Sequence, residues 1–386
     1  MQPFEISISQ EQIDLLHSRI DATIWPVGSW HDADDWSYGT PERYLRPLVE
    51  YWRNAFDWRA AERQLNAFPQ FITPIEGLDT HFIHARSPHP DATPLLLVHG
   101  WPGSVVEFLD VIPRLLEPEK FGGSSADAHH VVCPSLPGYA FSQAAQEPGM
   151  SPDRIAAIHA RLMKLLGYER FVAQGGDWGA ICCRYLPDVC EESLLGLHLN
   201  LTLPVPPTGL ENPDDFLTEE ERQFVADWAV RDWQSSGYSH LQGTKPLTLS
   251  YGLSDSPVAL AAWIAEKFDS WTDNDGDLRS AVDWDRLLSN ISLYWFTGSI
   301  GSSVRLYKEF FVALDNGKHR GARCNVPTGI ARYSAEPWAQ PKSWVEMEYN
   351  IVHWFESAKG GHFAAMEQPE IFSKDLWTFN ARLRAL

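Results

Sequence analysis

A chain of 386 residues with 44% hydrophobic residues can bury a large core, as one α/β domain with an insertion or as two domains. Its 31 basic against 51 acidic side chains give a net charge of -20, which argues against a nucleic-acid partner or an anionic membrane surface. No basic region followed by an apolar stretch opens the sequence, no long apolar run crosses it, and its 5 cysteines show no CxxC pairing. No signal peptide, no membrane anchor and a cytoplasmic location with reduced thiols are therefore expected.

Ser9-Gln10-Glu11-Gln12 has the spacing of a capping box, flanked by Ile8 and Ile13 as a hydrophobic staple. A helix over 9–23 is expected, with Ile13, Leu16 and Ile20 on one face. Residues 41–66 read as a second helix, opened by Pro41-Glu42. Strands are expected at 71–75 and 80–84, with Gly77-Leu78-Asp79 as the turn between them. A buried strand at 94–98 leads through a loop to a helix over 105–116. A strand at 130–133 and a helix over 152–166 follow, then a strand at 170–174, a helix over 181–189 and a strand at 194–199. Near-continuous apolar strands alternating with helices imply an α/β fold, its mostly parallel sheet covered on both faces.

The alternation stops at Pro204, Pro206 and Pro207. Helical stretches over 215–233, 259–271 and 285–314 follow. Strands return at 324–326 and 350–353, and a helix over 369–383 closes the chain. The expected division is an N-terminal helical segment (1–69), a core (70–200 and 322–386) and a helical insertion (201–321). The insertion would lie as a lid over the carboxyl ends of the strands, where open α/β sheets bind ligands.

Gly175-Gly176-Asp177-Trp178-Gly179-Ala180 joins a strand to a helix. Small residues permit a tight turn and a close helix–strand approach, and the pattern is that of a nucleophile elbow with aspartate where an esterase has serine. Aspartate also suits a helix cap. As a nucleophile it suits attack at saturated carbon followed by cleavage of the enzyme ester. That second step needs a base and an acid to orient it, in the chain order nucleophile, acid, histidine. Among the 14 histidines, His362 combines a late position, flanking Gly360 and Gly361, and a preceding strand. Glu336, beyond the strand at Val326 and a loop Pro327-Thr328-Gly329, is the matching acid; Glu346 and Glu348, just before the final strand, are its rivals. His99-Gly100-Trp101-Pro102-Gly103-Ser104 follows the strand at 94–98. It would lend the Trp101 N–H as one oxyanion donor, with the Trp178 N–H as the other. HExxH, P-loop and GxGxxG patterns do not occur, so neither a metal nor a nucleotide is expected.

In order, these motifs resemble the epoxide hydrolases of the microsomal and juvenile-hormone type, over nearly the whole length. The resemblance takes in Phe56-Asp57-Trp58-Arg59, Leu65-Asn66-Ala67-Phe68-Pro69-Gln70-Phe71, His99-Gly100-Trp101-Pro102 and the elbow. It continues through Gly237-Tyr238-Ser239-His240, Thr244-Lys245-Pro246, Asp255-Ser256-Pro257 and Tyr294-Trp295. It extends over Ser302 to Glu309, then to Val326-Pro327-Thr328-Gly329 and Gly360 to Ala365. It implies an α/β-hydrolase fold with a helical cap, no cofactor, and conversion of an epoxide and water to a vicinal diol through a covalent aspartyl ester. It implies Asp177 as nucleophile, His362 as the base that activates water, and Glu336 as the acid that orients it. It also selects Tyr238 and Tyr307, among 12 tyrosines, as phenols that hydrogen-bond the epoxide oxygen and protonate the leaving alkoxide. Membrane-bound members carry an N-terminal anchor that this sequence does not show.

The 17 tryptophans and 19 phenylalanines favour an aromatic-lined pocket and an apolar or aromatic small-molecule epoxide; a homodimer stays open. Two other readings stand beside this one. A haloalkane-type dehalogenase on the same fold would use Trp178 as a halide ligand; the paired tyrosines and the Trp of His-Gly-Trp-Pro argue against it. A non-catalytic binding protein on this fold would have no need of complete Asp, Glu and His elements in order.

Overall fold

The computed structural model describes residues 1–27, 36–207, 209–317 and 323–386. Their strands form one sheet in the order β1-β2-β3-β5-β4-β6-β7-β8-β9. β1 (Gln2–Phe4), β2 (Gln70–Ile75) and β3 (Leu78–Ala85) make an antiparallel edge that joins β5 (His129–Pro134). From β5 onward β4 (Thr93–Val98), β6 (Phe171–Gly175), β7 (Leu194–Leu199), β8 (Cys324–Tyr333) and β9 (Tyr349–Ser357) run parallel. The strand order reverses around β4, the topological switch point at which such sheets open a crevice.

Three strand expectations change. The segment 1–69 is not wholly helical, because Gln2–Phe4 pairs with Gln70–Ile72 at the sheet edge; a three-residue strand has no periodicity to read. The turn between β2 and β3 is Glu76-Gly77, both at positive φ (52° and 82°), so Leu78 and Asp79 belong to the strand. Pro327-Thr328-Gly329 is no loop but lies inside β8. The register shifts between Cys324 and Pro327, and such an irregularity is where a strand tolerates a residue without an N–H.

α1 (Gln10–Asp21) is capped as its spacing requires: Ser9 Oγ accepts the Gln12 N–H at 3.3 Å, and Gln12 Oε1 accepts the Ser9 N–H at 3.0 Å. Ile8 and Ile13 are buried beside it. The helix expected over 41–66 is two, α2 (Glu42–Asn54) and α3 (Trp58–Leu65), separated at Asp57, whose backbone is extended. That over 105–116 is a 3₁₀ turn followed by α4 (Ile112–Leu116), with Pro113 in the first turn, where no N–H is needed. α5 (Pro152–Leu165) follows the expected span; α6 (Asp177–Tyr185) begins at the elbow itself, ahead of the expected 181, and α7 (Pro187–Cys190) restarts at a proline.

Between β7 and β8 lie α8 (Glu219–Ser235), α9 (Gly237–Thr244), α10 (Pro246–Asp255), α11 (Pro257–Trp271), α12 (Trp284–Thr297), α13 (Ile300–Ser303) and α14 (Arg305–Asp315). The long helix expected over 285–314 is cut at Gly298, whose left-handed φ of 62° closes α12. α9 and α10 escaped the sequence reading. The boundary expected at 321 and 322 lies outside the described residues. α15 (Lys342–Glu348), α16 (Ala364–Glu367) and α17 (Pro369–Leu383) complete the chain.

α6 packs on β4, β6 and β7, whereas α17 packs on β7, β8 and β9. The N-terminal helices pack chiefly on the inserted ones. Trp52 Nε1 donates to Ser292 Oγ of α12 at 2.9 Å, the Trp58 ring meets Phe296 at 4.7 Å, and Thr40 Oγ1 donates to the Ala262 carbonyl of α11 at 2.7 Å. Among the described residues no helix is long and apolar enough to cross a membrane, and Cys133, Cys182, Cys183, Cys190 and Cys324 are unpaired. Removing the side-chain acceptor of the α1 cap in Ser9→Ala is expected to lower stability by about 1 kcal/mol, read as a lower urea midpoint at unchanged slope.

Candidate active site

β4 and β6 are neighbours, with Val98 opposite Gly175, so the loops that leave them begin side by side. A Cβ on Gly179 would lie 2.1 Å from the Val98 carbonyl oxygen, and one on Gly175 would lie 2.3 Å from the Gly179 carbonyl carbon. Helix and strands thus touch through bare backbone, and no side chain fits between them. The turn this forces puts Asp177 at φ 47°, a left-handed conformation that costs a residue with a Cβ roughly 1–2 kcal/mol. Its carboxylate is thereby pushed out over the end of β4, where Gly100 leaves room: a Cβ there would sit 2.1 Å from Asp177 Oδ1.

The Trp101 N–H donates to Asp177 Oδ1 at 2.6 Å. Asp177 Oδ2 lies 3.3 Å from His362 Nε2, off the line of a hydrogen bond, so that buried ring nitrogen has no bonded partner. On its other side His362 Nδ1 lies 2.9 Å and 3.1 Å from the two oxygens of Glu336. Glu336 also accepts the Trp338 N–H at 3.1 Å. β8 and β9 end in register, Tyr333 opposite Ser357, and each then continues into the loop that carries its residue. The Asp177 side chain is 18% exposed, against 1% for His362 and 4% for Glu336: the carboxylate faces open space while the imidazole and its acid are sealed. Burial disfavours charge on His362, but Glu336 and Asp177 on either side outweigh it and hold the ring well above its usual pKa. Glu348, a rival acid, is instead bound to Gln340 Nε2 at 2.9 Å.

The inserted helices supply the opposite wall. Tyr238 of α9 and Tyr307 of α14 meet edge to face, ring centres 5.8 Å apart. Tyr238 stacks on Trp101 at 5.6 Å and 8°, and Tyr307 meets Trp178 edge-on at 4.7 Å. Burial and the charge of Asp177 keep both phenols well above their usual pKa, so they remain hydrogen-bond donors. Trp178 is the second residue of α6, and its N–H belongs to the first turn, which has no partner within the helix. Asp177, both tyrosines and Trp178 border a cavity of about 500 Å³.

Residues 1–108 match the family described as Epoxide hydrolase N terminus, and residues 93–367 match the alpha/beta hydrolase fold. Epoxide hydrolase 1 of Sus scrofa is 38% identical over 98% of this chain and 88% of its own length. The chain belongs to the epoxide hydrolase family. The crystal structure of juvenile hormone epoxide hydrolase from the silkworm Bombyx mori superposes with a TM-score of 0.91, at 34% identity over 100% of this chain and 95% of that one. The structure of Aspergillus niger epoxide hydrolase superposes with a TM-score of 0.85, at 32% identity over 99% of this chain and 96% of that one.

The wall of this epoxide hydrolase's cavity is aromatic where expected, with Trp228, Trp338, Phe310 and Phe311, but also carries Asp232, His240, Arg184 and Thr202. Other polar residues border the site. Lys267 of α11, tied to Glu266 Oε1 at 2.9 Å, places its ammonium 4.4 Å from the Tyr238 ring centre. Glu107 curls back over Gly103, where a Cβ would fall 1.7 Å from Oε1. Burial, reinforced by the charge of Asp177, pushes its carboxyl up to about 8 although His362 pulls it down. His99, kept neutral by burial with its pKa at about 4, accepts the Leu136 N–H at 3.2 Å and braces the loop. Lys267 and Glu107 have no spacing signal, because each reaches the site through the packing of separate elements, whereas His99 opens the His-Gly-Trp-Pro motif. Gly179→Ala is expected to cost roughly 3 kcal/mol or more through overpacking against Val98, seen as a lowered thermal midpoint and lost solubility.

Proposed function

We propose that this epoxide hydrolase opens its substrate in two covalent steps at Asp177, with the helices between β7 and β8 as the lid that carries its acid. The observation that carries the reading is the Asp177 carboxylate, one oxygen held by the Trp101 N–H and the other beside His362, facing two buried phenols. An epoxide carbon attacked by Oδ2 needs its ring oxygen protonated as the C–O bond breaks. Tyr238 and Tyr307 supply that proton and stabilise charge that exists only in the transition state. The product of the first step is a hydroxyalkyl ester of Asp177.

In the second step His362 Nε2 takes a proton from water, which attacks Asp177 Cγ. Oδ1 becomes the oxyanion, already on the Trp101 N–H and joined by that of Trp178, an effect of about 3–4 kcal/mol per donor. Glu336 keeps Nδ1 protonated and Nε2 pointed at the water. The charge balance makes the steps sequential. Before alkylation two carboxylates flank His362 and favour the imidazolium. Alkylation neutralises Asp177, one support is lost, and the ring is released to act as a base. A small apolar or aromatic epoxide suits the aromatic wall of the cavity. The unpaired cysteines support a cytoplasmic location.

In a single turnover with styrene oxide in heavy-oxygen water, early diol is expected to carry ordinary oxygen while the Asp177 peptide gains label; diol labelled from the first turnover would refute the ester. Tyr238→Phe with Tyr307→Phe should slow alkylation by about 100- to 10,000-fold and leave hydrolysis of preformed ester nearly unchanged, by stopped-flow fluorescence. Hydrolysis needs neutral His362, so its rate should fall as pH drops through the lowered pKa of the ester form. Both phenols are raised, so alkylation should show no alkaline loss near pH 10, about where a free tyrosine ionises.

A further inference from the structure

Outside the triad, the most heavily bonded carboxylate near His362 is Glu367, the last residue of α16 and 9% exposed. Its Oε1 accepts the Phe363 N–H at 3.0 Å and its Oε2 accepts the Gly361 N–H at 3.0 Å. The two donors flank His362 in the chain. The same Oε2 accepts the Asp273 N–H at 2.8 Å, just beyond the end of α11 in the inserted helices. The brace is reciprocated. Asp273 Oδ2 accepts the Gly360 N–H at 2.8 Å, and the Trp271 carbonyl accepts the His362 N–H at 2.8 Å. Gly361 has no room for a side chain, since a Cβ would lie 2.5 Å from the Trp271 carbonyl oxygen. Every N–H from Gly360 to Phe363 is thus bonded either to Glu367 or to the end of α11.

We propose that Glu367 is the positioning residue for the histidine loop: it clamps the backbone on both sides of His362 to the carboxyl end of α11 and so sets the distance from Nε2 to the Asp177 ester. The proposal rests on His362 being the base of the second step. A loop flanked by Gly360, at φ 93°, and Gly361 has little stiffness of its own; the Glu336 bond fixes the tilt of the ring but not the height of the backbone that carries it. Three N–H donors converging on one buried carboxylate fix that height. They tie it to the end of α11, whose Lys267 lies against Tyr238, so base and acid share one frame.

A positioning role for the base predicts an effect confined to the second half-reaction, whereas general loss of structure would slow both. Glu367→Gln keeps size and one acceptor but turns an N–H donor against the loop. Alkylation, read by rapid-mixing tryptophan fluorescence with styrene oxide, should stay within about threefold. Hydrolysis of the ester should fall by roughly 10- to 100-fold, the order of loss from a misplaced catalytic group. The ester should then accumulate on Asp177 by mass, and kcat and KM should fall together. Asp273→Asn, an exposed change on the α11 side of the brace, should slow hydrolysis alone by a smaller factor, and it gives an answer where Glu367→Gln does not fold. Equal slowing of both steps, or wild-type hydrolysis in the folded variants, overturns the proposal. His362→Gln separates the two levels: ester that persists in it while the brace variants hydrolyse normally sinks the Glu367 role alone, and absence of ester in it sinks the reading of the base.

Discussion

The contact between Gly179 and the carbonyl of Val98 is the constraint on which the site depends. α6 can start where it does only if its first turn lies against the end of β4 with no side chain between them. That approach leaves the chain one way to turn out of β6, through a left-handed residue, and the residue there is Asp177. The strain is repaid locally. The carboxylate gains the Trp101 N–H of the neighbouring loop, because Val98 and Gly175 are in register and Gly100 has no side chain in the way. Register, glycine placement and the geometry of the Asp177 carboxylate are thus a single fact seen at three scales.

Around this point the protein buries ionisable side chains side by side. Asp177, His362 and Glu336 form a line in which charge on the central imidazole is favoured from both ends. Such a line is tolerable in a sealed site only while it stays balanced, since an unpaired buried charge costs several kcal/mol. The same balance makes the imidazole responsive: neutralising one end changes the affinity of the ring for its proton. Glu107 lies near the line with its carboxyl raised to about 8, and Glu367 supports the loop that carries the imidazole.

The N-terminal segment has its physical reason here. The inserted helices carry Tyr238 and Tyr307, and they must hold those rings against Trp101 and Trp178 of the core. Helices α1 to α3 and the turn before α2 support α11 and α12 from outside, through bonds such as Trp52 to Ser292 and Thr40 to Ala262. A wall built from separate segments is rigid only if something ties them together, and these contacts do so.

The sequence by itself determined the sheet's central strands and the strand-to-helix turn at Asp177, and it singled out Glu336, His362 and, through the motif resemblance, Tyr238 and Tyr307, which the fold brings to one place. These are legible because apolar runs, glycine doublets and chain order are local properties. It misjudged what depends on partners. Pro327-Thr328-Gly329 reads as a loop, yet β7 and β9 on either side draw it into β8. Gln2–Phe4 reads as nothing until β2 offers an edge. α9 and α10 have weak patterns of their own and are helical in the company of α11, α13 and α14. The pairing of Glu348 with Gln340 and the convergence of Glu367 on the His362 loop were decided by tertiary structure alone. Each depends on distances between elements far apart in the chain, and spacing along a sequence carries no information about those.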